Sequence, residues 1–260
     1  MIVDNAIIKE DSMKFCNFIL LVLMCNFWGL GQSKFTLRTN EENIVIPESH
    51  FESRLFSEGL AIVQDSLTKK FGFANRQGDV VIPCIYLAVN DFKEGLAVVQ
   101  DYDTQKFGYI NRKNKVVIPF IYDEAGSFSS DRDGSPAFSG LAYVNIGNTD
   151  DRRYMLFTKG KWGLINRMGE EVLPVKYGYI FPLSEGMACI FDGEYIFHTN
   201  DQNSGRVEIN GKYGFINSDA KIVIQPQFDD TDVAFKNGRV KVKKDDKEYM
   251  INTKGEKVAE

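Results

Sequence analysis

The chain has 260 residues and a formal net charge of −5, with 31 Lys and Arg against 36 Asp and Glu. That length holds one large domain or two small ones, and the mildly acidic balance argues against a nucleic-acid backbone as partner. With 43% hydrophobic residues a folded core is expected, and 20 Phe favour strands over helices.

The first element in chain order is an export signal. Lys14 precedes an apolar run centred on Phe18 to Cys25, followed by the small residues Gly29 and Gly31. This layout predicts a secretory signal peptide cleaved after Gly31. Residues 1–12 are polar and carry acids, unlike the start of such a signal, so Met13 reads as the true start. The run is short and is interrupted by Asn17 and Asn26, which argues against a stable membrane span. A retained anchor is the alternative. Cys25 follows Met24, where a lipoprotein signal needs a small residue, so lipidation is not expected. The expected organisation is an N-terminal extension and signal over 1–31 and a single β-repeat domain over 32–260. The mature chain is then exported to the periplasm, cell surface or exterior, with no membrane span. Loss of two basic and three acidic residues moves its formal charge from −5 to −4. Its two remaining cysteines, Cys84 and Cys189, read as small buried apolar residues rather than a bonded pair.

From residue 34 onward the chain repeats itself. KFTLRTNEENIVIP (34–47), KFGFANRQGDVVIP (70–83) and KFGYINRKNKVVIP (106–119) align without a gap, 36 residues apart. An aromatic-glycine pair recurs at Phe71-Gly72, Phe107-Gly108, Trp162-Gly163 and Tyr213-Gly214, with degenerate copies at Phe35-Thr36 and Glu248-Tyr249. VIP, VLP or IVIQP follows each copy, and EGLA, SGLA, EGMA or NGRV closes the unit. FGFAN and its relatives predict a strand running into an Asn-initiated turn. DVVIP predicts a returning strand ended by Pro, which cannot donate to a ladder. LAVVQ, LAYVN, MACIF and RVKVK predict a third strand after the turn glycine. The glycine after each aromatic predicts a bulge or a close backbone approach, with the neighbouring repeat's aromatic over the gap. Trp162 then packs within the repeat face. No sustained helical periodicity is present in the mature chain.

The fold class expected is therefore all-β: a tandem antiparallel array of about five units, each of three or four short strands. One unit alone buries too little apolar surface, and stacking supplies the rest. The mismatched end units favour an open superhelix or solenoid. A closed propeller-like ring is the alternative.

The combined motif K-[FW]-G-[FYL]-[AI]-N, VIP, Tyr and F-x-E-G-L-A-x-V resembles the WG-repeat, or KWG-repeat, family of bacterial proteins. KFGYINRKNKVVIPFIYDEAGSF carries it most fully, through Lys106, Phe107, Gly108, Asn111, Pro119, Tyr122 and Asp123. Trp162 is the family's Trp. The resemblance spans essentially the whole mature chain. It implies a β-rich repeat architecture and little chemistry.

The third and fourth units are longer than the rest, through segments 126–138, 147–160 and 192–211. Insertions in repeats map to loops, often on a binding face. The candidate ligand-binding residues are Asp131, Asp133, Arg152, Arg153, Tyr154, Tyr195 and His198, brought together if these loops converge. The competing reading is tolerated surface loops or an extended hairpin. SSDRDGS (129–135) hints at a calcium loop, but Gly140 stands where the twelfth-position Glu belongs. Two histidines and scattered cysteines leave no zinc cluster, and no nucleophile motif is present. No cofactor, metal or catalytic residue is expected. Glu58, Glu94 and Glu185 precede turn glycines, and Arg76, Arg112 and Arg167 follow turn asparagines. Stacking aligns each set in a row, most simply as solvated turn tips. The expected function is an exported, non-catalytic scaffold that binds a protein or an envelope glycan through these insertions. A carbohydrate-active hydrolase with acids in the same loops and a purely structural envelope protein are the alternatives.

Overall fold

The computed structural model describes residues 44–45, 56–129, 138–147, 160–199 and 205–259. Every described residue lies in one compact unit.

Among the described residues twenty strands form five four-stranded antiparallel sheets, each a meander in chain order. The first holds β1 (Ile44–Val45), β2 (Ala61–Asp65), β3 (Phe71–Ala74) and β4 (Val80–Tyr86). The second holds β5 (Ala88–Val89), β6 (Leu96–Gln100), β7 (Phe107–Asn111) and β8 (Val116–Tyr122). The third holds β9 (Glu124–Ala125), β10 (Leu141–Ile146), β11 (Lys161–Asn166) and β12 (Glu171–Tyr177). The fourth holds β13 (Tyr179–Ile180), β14 (Met187–Thr199), β15 (Gly205–Asn217) and β16 (Ile222–Phe228). The fifth holds β17 (Asp230–Thr231), β18 (Arg239–Lys244), β19 (Lys247–Asn252) and β20 (Lys257–Val258). No helix occurs among the described residues, and so none there is long and apolar enough to cross a membrane.

The repeated phrase maps onto each sheet in the same way. The turn Asn accepts two backbone N–H groups at its side-chain oxygen: Asn111 Oδ1 takes Lys113 at 2.9 Å and Lys115 at 3.0 Å. Asn75, Asn166, Asn217 and Asn252 repeat this arrangement. The glycine after the aromatic faces the returning strand of its own sheet. A Cβ at Gly72 would lie 2.4 Å from the Ile82 carbonyl oxygen, and one at Gly163 would lie 2.7 Å from that of Leu173. What lies nearest each of these glycines belongs to its own sheet, backbone joined by the Phe120 ring at Gly108 and the Val175 side chain at Gly163, and not to an aromatic of the neighbouring repeat. The register shifts on both sides of this contact, from Phe71↔Tyr86 to Phe73↔Ile82 to Ala74↔Val80. That bulge also corrects the expected strand end. Pro83 does not terminate β4; the strand runs on to Tyr86, because Pro is tolerated on a bulged edge strand that needs no donor there.

The core of the described residues consists of four clusters, one at each junction between consecutive sheets. Leu60, Ile62, Phe73, Ile82 and Tyr86 of the first sheet meet Phe92, Ala97, Val99 and Ile110 of the second. The second sheet turns Leu96, Val98, Tyr109, Ile118 and Tyr122 toward the third. Trp162 is 2% exposed, within the junction of sheets three and four. Cys189 packs in the last junction, where burial pushes its thiol well above the usual range. Cys84 is half-buried in β4, and no disulfide joins the two. Aromatic pairs cross the junctions: Phe73–Phe92 at 4.8 Å, Tyr109–Phe128 at 5.0 Å and Phe215–Phe235 at 5.1 Å between centroids.

The array is open. Five sheets make four apolar junctions among the described residues, and no strand pairing joins the first sheet to the last. The fifth sheet is built as an end. Internal strand β6 is buried on both faces, whereas β18 alternates: Val240 and Val242 are buried against sheet four, while Arg239 and Lys241 are exposed. A ring would have to bury those two charges.

Candidate functional site

Each end of the strands carries its own set of inter-sheet polar contacts. At one end lie the turns before the second strand of each sheet. Glu58, Glu94, Glu185 and Asn237 occupy the left-handed region there, each followed by a glycine with positive φ. Glu58 accepts the Gly95 N–H of the next sheet at 3.1–3.2 Å. Glu185 accepts the N–H groups of Asn237 at 2.8 Å and Gly238 at 2.7 Å. These carboxylates are therefore staples between consecutive turns, and the expected solvated tip is only half of their role. Arg112 belongs to the same edge, its guanidinium lying 3.4 Å from where a Cβ on Gly59 would stand.

At the other end the lysine before each aromatic-glycine pair does the tying. Lys106 pairs with Asp123 at 2.5 Å, and Asp123 also accepts the Gly147 N–H at 2.8 Å. Lys212 pairs with Asp229, which takes the Asp245 N–H at 2.9 Å. The Lys212 hydrogen bond, with that N–H, holds the Asp229 carboxyl below the usual carboxylate range. Where sheet three has Gly178 in place of this acid, Lys161 reaches Gly193 O at 2.9 Å and Glu194 at 3.3 Å instead.

One junction departs from the pattern. Glu94 does not reach its glycine partner directly. It accepts the Ser129 hydroxyl, and Ser129 Oγ in turn accepts the Gly140 N–H at 2.7 Å. The insertion after β9 has lengthened the staple by one hydroxyl. A groove of about 550 Å³ opens there, lined by Glu94, Gly95, Leu96, Gly140, Asn166, Arg167 and Met168. Arg167 Nε stands 3.8 Å from Glu94, with the side chains 59% and 30% exposed. Met168 is 71% exposed. The groove offers a solvent-exposed guanidinium facing Glu94, a flexible thioether and glycine backbone, and no aromatic lines it among the described residues.

Of the residues singled out from sequence, Asp131, Asp133, Arg152, Arg153 and Tyr154 lie outside the described residues. Tyr195 and His198 fall on β14, paired in register with Ile209 and Arg206. The segment 192–211 is an extension of the β14–β15 hairpin. The segments 126–138 and 147–160 attach to opposite ends of β10, whose six residues span about 20 Å. Ser129, Arg167 and Met168 were not grouped by the sequence. The signal present in the sequence was the recurring Glu-Gly pair, at Glu58-Gly59, Glu94-Gly95 and Glu185-Gly186.

A family model described as WG containing repeat matches residues 71–103, 107–149, 162–195 and 213–247, more than half of the chain. The chain belongs to the WG-containing repeat family. Each match begins on the aromatic of the aromatic-glycine pair, at Phe71, Phe107, Trp162 and Tyr213. A WG repeat so defined starts with the third strand of one sheet and ends in the next, and thus spans a junction. Among curated proteins the chain has no match.

Proposed function

We propose that this WG-repeat chain is an exported, non-catalytic scaffold that binds a partner protein at the groove between sheets two and three. The observation that carries this reading is the relayed Glu94–Ser129–Gly140 contact, where the equivalent turns one junction earlier are joined directly by Glu58 and the Gly95 N–H. The opening coincides with the start of an insertion. Its lining favours protein over glycan, because sugar rings pack on aromatic faces and the described lining has none. Exposed Met adapts to varied apolar side chains, and Arg167 suits a carboxylate beside them. The signal-like layout of residues 13–31 supports export.

The test is a peptide library and a glycan array probed in parallel with the full chain and its Arg167→Glu, Met168→Asp variant. Selection of peptides pairing an acid with an apolar residue, lost in the variant, is expected. Selection of glycans alone, or peptide binding unchanged by the variant, would overturn the reading.

A further inference from the structure

In sheet four the two central strands outgrow their neighbours. β13 meets β14 only at Phe191 and Ile190, and β16 meets β15 no further out than Tyr213. Beyond that point residues 192–199 pair with 205–212, and among the described residues with nothing else, ending at Thr199↔Gly205. A two-stranded ribbon is marginal by itself, and its open edges are templates for another strand. The base is fixed to sheet three through Lys161, so the ribbon projects as an arm from a rigid junction. Glu194 and Ile209 at that base are exposed.

The β14 edge is self-complementary. Laid antiparallel against a second copy about Ile196, it sets Tyr195 opposite Phe197 and Glu194 opposite His198, with Ile196 opposite itself. Opposed residues share a face, as an antiparallel ladder requires. Tyr195, Ile196 and Phe197 are three consecutive strong strand formers, whereas the run on β15 is interrupted by Glu208. We propose that two copies of this chain join along the β14 edge, forming a four-stranded sheet across a two-fold axis at Ile196. Such an isologous contact closes on itself and leaves the groove of each copy free.

Sedimentation of the full chain over a range of concentrations, with hydrogen exchange of residues 192–199, tests this. A dimer whose arm amides gain protection with concentration is expected. Ile196→Lys sets like charges together at the axis and should weaken the dimer at least tenfold. Glu194→Lys alone should weaken it, and adding His198→Glu should restore it. Emission from buried Trp162, recorded with Trp28→Phe in every variant, reports that each keeps its fold. A monomer at every concentration, a dimer indifferent to Ile196→Lys, or arm protection independent of concentration would overturn the proposal. The last two outcomes point to a different surface and to an intrachain cover, respectively.

Discussion

Two kinds of glycine, alike in the sequence, meet different physical demands. Gly163 has no room: an added Cβ would lie 2.7 Å from both the Leu173 carbonyl and the Val175 side chain. Gly95 has room, with nothing within 4 Å, but sits at φ +81°. Gly163→Ala should therefore cost about 1–3 kcal/mol by forcing two strands apart, with Gly163→Asn worse. Gly95→Ala should cost about 1–2 kcal/mol for conformation alone, and Gly95→Asn should recover most of it. Urea midpoints of the four variants decide this, and the reversed order of Ala and Asn is the diagnostic result. The glutamates beside the turn glycines make the same point in reverse. Glu58, Glu94 and Glu185 accept an unfavourable backbone conformation because it aims a carboxylate at the next sheet.

Among the elements, the strands were legible and their joints were not. FGFAN, FGYIN, WGLIN and YGFIN are read as strands because β-branched and aromatic residues run into an Asn turn, and all four are strands. The two-residue strands β5, β9, β13 and β17 escaped notice, since a pair such as Glu124-Ala125 carries no periodicity. Proline misled for a physical reason: it forbids a ladder bond, and the bulge opposite glycine removes the need for one. The groove was hidden because its closing contact joins Glu94 to Ser129, 35 residues away, across an insertion that breaks the alignment. The staples predict local behaviour. Glu185→Gln leaves one carbonyl to serve two N–H groups and should cost about 1 kcal/mol. Amide exchange should quicken at Asn237 and Gly238 while the Trp162 junction is undisturbed. Equal acceleration throughout the chain would show that the carboxylate does not act on its own junction.

For the whole molecule, the deciding feature is that the fifth sheet ends in charge. Leu96 and Val98 of sheet two face the next sheet, and Arg239 and Lys241 take the corresponding places in β18. Lys241 is further held by Glu248 across the strand pair. Terminal repeats of stacked arrays need such a polar outer face. Arg239→Leu with Lys241→Val should convert this cap into an internal face and drive concentration-dependent association, read by light scattering. A double variant that stays as dispersed as the parent would mean that other residues terminate the array. The internal sheets present the opposite situation, for each shows its successor nearly the same face that its predecessor showed it. A duplication or loss of one 36-residue phrase at the level of the gene would thus hand selection a protein with its seams intact.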